Sequence, residues 1–192
     1  MIINVFLIIL SIVLSGAILV LEDRRYRLAV LAVIELIGFI LIVQIWPIAL
    51  ALVKLISGWM GIALLTFAFI PSDIKKESNE PIPTKIFRLM LGVFGWIIVL
   101  TSIQGLNEWL PISYTNLFIG LIFFIIGMIS LSLGLKTFDI ILCLLVFLQG
   151  FDIIYSSLEG SALVTAMFAV IIISICLTGS FLEGGITLWS SD

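Results

Sequence analysis

Seven apolar runs, each long enough to cross a bilayer and parted by short breaks, dominate this sequence. They fall at about 2–21, 28–45, 48–70, 86–106, 114–135, 138–157 and 161–182. A helix rising 1.5 Å per residue needs about 20 apolar residues to cross ~30 Å of hydrocarbon. Barrel strands, the other spanning structure, alternate apolar and polar residues, whereas these runs are apolar throughout. The expected fold is all-α: a polytopic transmembrane bundle of about seven helices, forming a single transmembrane domain over 1–192.

The breaks have local causes. Glu22-Asp23-Arg24-Arg25 parts the first two spans, and Trp46-Pro47 makes a tight turn before the third. That proline suits the opening of a helix, where a missing N–H costs nothing. Pro71 to Lys85, with Pro71, Pro81 and Pro83, is the one long loop. Asn107 to Ser113 contains Pro111, and Lys136-Thr137 and Glu159-Gly160 are minimal turns. Met1 to Leu21 has no basic residue before its apolar stretch, so it reads as a retained span rather than a secretory signal.

Composition narrows the function. Charged residues make up 11% of the chain against about 25% in a soluble domain, 62% of residues are hydrophobic, and mean hydropathy is +1.38. That is too little charge to wet a water-facing surface, so the expected surroundings are the lipid bilayer and other membrane subunits. The nine Lys and Arg build no basic face for nucleic acid. Histidine is absent, which removes His-ligated haem, the commonest zinc and copper ligand, and Ser-His or Cys-His catalytic pairs. Cys143 and Cys176 sit in apolar runs and read as small buried hydrophobes. Neither a nucleotide loop nor a nucleophile elbow is present. The chain is therefore expected to have no catalytic residues of its own, no cofactor and no metal; enzymatic status is left to any complex it joins.

Orientation follows from the basic residues. Arg24, Arg25, Arg27, Lys75, Lys76, Lys85, Arg88 and Lys136 all flank the first, third and fifth connections. By the positive-inside rule those connections are cytoplasmic, the N-terminus extracytoplasmic and the C-terminus cytoplasmic.

One basic residue, Lys54, lies inside a span, ~10 Å along the helix from the Trp46-Pro47 turn. Glu35, on the preceding antiparallel span, lies ~16 Å from the same turn, an axial offset of ~6 Å that two long side chains or one water bridge. A charge at mid-membrane costs ~3 kcal/mol or more, so both side chains are expected to face protein or water. Either they form a structural pair that sets how the hairpin docks, or they form a protonatable relay. Ser57, Gly58 and Gly61 follow Lys54 on one side and permit close packing.

The sixth span carries a second constellation. Gln149, Asp152, Ser156 and Glu159 are spaced by three, four and three, so they share one helix face. That stripe either lines a water-accessible half-channel or forms a polar seam against a neighbouring subunit, with Asp152 its deepest acid. Asp139, one turn from Lys136, is expected to snorkel to the membrane surface. Gln104, Asn107 and Glu108 read as a solvated rim.

The span order, with Asp23-Arg24-Arg25-Tyr26-Arg27-Leu28 before the second helix and one lysine in the third, resembles the hydrogenase-4 component E family. The C-terminal half of that family is similar to the NuoK subunit of complex I and the MrpC subunit of Mrp antiporters. The resemblance divides the chain into four N-terminal spans over 1–106 and a NuoK-like three-span unit with a short tail over 107–192. Within that unit it covers FLQGFDIIYSSLEGSALVTAMFAVIIISI. The resemblance matches Lys54 to the family's third-helix lysine. It departs where the family's buried acids fall near Gln149 and Thr165, both neutral here; Asp152, one turn from Gln149, stands where a substitute acid would.

The resemblance implies a non-catalytic membrane subunit of a complex related to complex I, group 4 hydrogenases or Mrp antiporters. Such a subunit contributes to proton or sodium translocation beside antiporter-like partners in the inner (plasma) membrane. The candidate translocation residues are Glu35, Lys54, Gln149, Asp152, Ser156 and Glu159. The alternatives are a structural subunit of another respiratory or photosynthetic assembly, or a stand-alone small transporter.

Overall fold

Each break in hydropathy becomes a helix end. The computed structural model describes residues 2–69, 82–134 and 136–189, with the side chains of 2, 82 and 183–189 excepted. Lys75, Lys76 and most of the long third loop lie outside the described residues. The helices are α1 (Ile2–Val20), α2 (Arg24–Val43), α3 (Ile48–Phe69), α4 (Ile82–Trp109), α5 (Tyr114–Leu133), α6 (Thr137–Leu158) and α7 (Ala162–Trp189). Among the described residues all seven are long and apolar enough to cross a membrane, and no strand is present. The protein is a multi-pass membrane protein.

A polar cap, which hydropathy does not weigh, extends α2 beyond its apolar run. α2 starts at Arg24 because the Asp23 carboxylate accepts from the Arg25 N–H at 2.9 Å, so its first turn is basic rather than apolar. Ser113 caps α5 by accepting from the Asn116 N–H. The Pro47 carbonyl accepts from the Leu50 and Ala51 N–H groups, opening α3 directly after the tight turn. Large apolar side chains cover the outside, among them Phe6 at 62% exposed and Phe67 and Phe181 at 80%. In water such a surface would drive aggregation; in lipid it is solvated.

The helices pack in two rows of the same order. α1, α2 and α3 form one row, α5, α6 and α7 the other, and α4 packs on α1 and α5. Helices four apart in sequence face each other across the rows and, because spans alternate direction, run parallel. Between α2 and α6, Arg27 meets Asp139, Gly38 meets Gln149 and Trp46 meets Ser156, a nearly constant step along both helices. Between α3 and α7, Gly61 abuts Cys176, and the Ser180 hydroxyl donates to the Leu64 carbonyl at 3.4 Å.

The closest helix pair is α5–α6. A β-carbon at Gly127 would stand 2.5 Å from the Phe147 nitrogen and 2.6 Å from its Cα. One at Gly150 would overlap the α5 backbone at Phe124. Small residues here do what they do between membrane helices generally: with no water to expel, close backbone contact supplies the dispersion energy. The core that results is apolar, with Leu31, Ile34, Ile37, Leu117, Ile119, Phe123 and Val146 all fully buried.

Alternation also gathers the described basic loop residues. Arg24, Arg25 and Arg27 start α2, Lys85 and Arg88 lie near the start of α4, and Lys136 caps α6, all at one end of the bundle. There Lys85 pairs with Glu22 at 2.8 Å. Arg27 pairs with Asp139, so Asp139 does not snorkel past Lys136 as expected from its sequence position. The α2–α6 register sets an arginine directly opposite it, and a guanidinium in low dielectric outcompetes the surface. Gln104, Asn107 and Glu108 are exposed on the last turns of α4.

Candidate functional site

Lys54 sits on the buried face of α3 with Ser57, Gly58 and Gly61. Helical side chains lean toward the helix N-terminus, so Lys54 points back toward the Trp46-Pro47 turn. Its ammonium donates to Asp152 Oδ1 at 2.5 Å and to the Ser156 hydroxyl at 2.5 Å, both on α6. The Ser156 hydroxyl is in turn placed to donate to Asp152 Oδ1 at 3.4 Å. Lys54, Asp152 and Ser156 are 6%, 3% and 2% exposed, so these bonds lie inside the protein.

Two aromatic rings complete the enclosure. The Lys54 ammonium lies 4.6 Å from the Trp46 ring centroid and 5.5 Å from that of Phe168 on α7. Trp46 is held in place by its indole N–H, which donates to the Ser156 carbonyl at 2.9 Å. Four elements therefore converge on one ammonium: α3, the turn before it, α6 and α7. Cation–π attraction is strengthened where water is excluded, which suits an ion that has left bulk solvent.

Glu35 is the second buried carboxylate, 5% exposed on α2. Its carboxyl group lies against Gly58, where a β-carbon would approach its Cδ and Oε2 to 2.6 Å. Glycine at 58 is thus the space the carboxylate occupies. Glu35 makes no ion pair or hydrogen bond among the described residues, although it lies in the electric field of both Lys54 and Asp152. Of the two bridges expected between Glu35 and Lys54, a direct bond or one shared water, the direct bond is not formed. On antiparallel helices both side chains lean toward their own N-termini, so the two heads diverge instead of closing the axial offset.

The stripe on α6 divides. Gln149, Asp152 and Ser156 are buried, whereas Glu159 is exposed at the rim, where it accepts a 2.8 Å bond from the Tyr155 hydroxyl. Gln149 packs on Gly38, where a β-carbon would overlap its amide. Asp152 and Ser156 meet α3 of the same chain, so a neighbouring subunit is not what covers them. Thr165 is buried, with its hydroxyl donating to the carbonyl of Ser161, the residue just before α7.

Sequence reasoning had Lys54, Asp152 and Ser156 as separate candidates but not their meeting, and it missed Trp46 and Phe168. A tryptophan beside a helix-opening proline reads as a membrane-interface anchor, and nothing in its spacing points inward. Among the described residues no three His, Cys, Asp or Glu side chains come together as metal ligands. The buried charges instead suit transfer of a proton or movement of a cation. Comparison with protein-family models, curated proteins and solved structures finds no match for the chain.

Proposed function

We propose that this protein is a non-catalytic membrane subunit of an ion-translocating complex related to complex I, group 4 hydrogenases or Mrp antiporters. It sits in the inner (plasma) membrane with its basic end cytoplasmic, beside antiporter-like subunits, and contributes to proton or sodium movement. The observation that carries the reading is the Lys54 ammonium, held mid-bundle by Asp152, with a second carboxylate, Glu35, lying against Gly58 one turn along α3 and making no bond among the described residues. Intramembrane ionisable groups are costly and mark ion pathways more often than packing devices.

In this reading Lys54 is a tethered cation shared by two carboxylates. When its ammonium leaves Asp152 for Glu35, Glu35 gives up its proton and Asp152 takes one up; when it returns, Asp152 releases its proton and Glu35 regains one. Each state keeps one positive and one negative charge adjacent, so the step avoids an isolated charge in low dielectric. Gln149 and Ser156 flank the carboxylate and orient water without titrating, and Glu159 marks the outer mouth.

A second reading is structural: the Lys54–Asp152 bond ties the two rows and fixes their register. The short, doubly bonded geometry of the ammonium favours it. Purification from native membranes in mild detergent separates the assembly claim from its rivals. The chain should bring antiporter-like subunits with it, whereas a monodisperse, transport-active monomer contradicts the proposal.

A further inference from the structure

The Lys54 site lies deep beneath one end of the bundle and a single ring beneath the other. Toward the basic end, Leu31 and Ile34 of α2 and Leu142 and Val146 of α6, all fully buried, fill the ~12 Å between the levels of Glu35 and Arg27. Toward the opposite end the Lys54 side chain leans back along α3, and the ring 4.6 Å from its ammonium belongs to Trp46, in the turn between α2 and α3. A β-carbon at Gly160 would stand 3.4 Å from the Trp46 indole nitrogen, so the turn between α6 and α7 touches the same ring. Trp46 is 5% exposed although it lies in a turn at the end of the bundle. One buried ring therefore closes the gap between the two turns.

The two rings beside the ammonium are held differently. Phe168 packs on Phe151 and Tyr155, with centroids 5.9 and 6.3 Å apart, and so forms a fixed wall. Trp46 stands outside any helix, and its indole is latched by one bond, to the Ser156 carbonyl at 2.9 Å. That carbonyl is in the last turn of α6, where a helix leaves its own acceptors without a partner. The second hold on the ring is the ammonium itself, through cation–π attraction, and the ammonium is bound in turn by the Ser156 hydroxyl. Ring and ammonium thus secure each other through one serine.

We propose that Trp46 is a gate through which Asp152 takes up its proton from the aqueous side opposite the basic end. The proposal rests on the reading that the Lys54 ammonium moves between Asp152 and Glu35. With the ammonium on Asp152, the ring is held twice and excludes water from the carboxylate. When the ammonium moves to Glu35, Glu35 gives up its proton on the side away from Trp46, and the ring is left with a single hydrogen bond. Its opening then admits the water that delivers a proton to Asp152. As the ammonium returns the ring closes, so the proton that Asp152 releases passes to Glu35 rather than back out. Access in one state only is what turns an exchange of protons into one-way movement.

The test is thiol labelling of the full chain in right-side-out and inside-out membrane vesicles, with Ser156→Cys as reporter and a membrane-impermeant methanethiosulfonate as probe. Lys136→Cys, at an exposed position of the basic end, marks the opposite face. Trp46→Ala should raise the labelling rate of the reporter by about 10-fold or more, only from the face at which Lys136→Cys stays unlabelled. Trp46→Phe keeps a ring beside the ammonium but lacks the N–H latch. It should raise the rate by about 3-fold, and it carries the test where Trp46→Ala folds poorly. Glu35→Gln leaves the ammonium only Asp152 to bind, so it should lower the rate below that of the reporter alone. A ring that only packs would not respond to a carboxylate on another helix. Labelling from the basic face, a Trp46→Phe rate equal to that of the reporter alone, or no response to Glu35→Gln overturns the gate. These rates are read without transport or partner subunits, so the gate fails separately from the assembly proposal, whose own failure is a monodisperse, transport-active monomer.

Discussion

Lys54 Nζ and Asp152 Oδ1 stand 2.5 Å apart, joining α3 of one row to α6 of the other inside the apolar core. The energetic meaning of such a bond lies in what its loss leaves behind. Removing one partner strands a charge in low dielectric, whereas removing both leaves shape to be filled by apolar groups.

Lys54→Met should therefore destabilise the fold by about 3–5 kcal/mol, because Asp152 is left buried and unpaired. Adding Asp152→Leu should restore most of that loss. Thermal unfolding of the parent, single and double variants in one detergent checks this. A double variant as unstable as the single would mean that the ammonium is held by something other than Asp152.

The all-helical, seven-span fold was legible in the sequence because it rests on hydrocarbon thickness and backbone hydrogen bonding, both local to each run. Helix starts were less legible: α2 begins in the Arg24-Arg25 break because Asp23 caps it, and a hydropathy window sees only charge there. The candidate residues Lys54, Glu35, Asp152 and Ser156 were legible as polar groups that lipid rejects. Their pairing was not, because it depends on α2 and α6 packing in parallel with Arg27 level with Asp139, a relation between residues more than a hundred apart. The same relation removes the argument that Asp152 requires a second subunit to cover it.

The α5–α6 contact makes a different demand. Gly127→Val places three carbons where the Phe147 backbone already lies, and neither helix yields without moving apart. Overpacking of this kind costs about 1–3 kcal/mol in soluble cores, and backbone against backbone should exceed the upper end. Reduced folded yield and a lower melting temperature are expected; an unaltered melting temperature would contradict the packing described.

Orientation is testable without transport. With the basic end cytoplasmic, a tag at the N-terminus should be labelled on intact spheroplasts, and one at the C-terminus only after lysis. Labelling of both tags on one side would contradict an odd number of crossings.

The central claim is that the buried carboxylates carry charge rather than only hold helices together. Asp152→Asn keeps the size of the side chain and its hydrogen bond from Lys54 but cannot take up and release a proton. The decisive measurement is ions translocated per catalytic turnover by the reconstituted parent complex, with and without Asp152→Asn, at matched subunit composition. A fully assembled variant that turns over with a reduced ion yield is the predicted result. Unchanged ion yield per turnover in that assembled variant would contradict the account and leave Lys54–Asp152 as a structural tie.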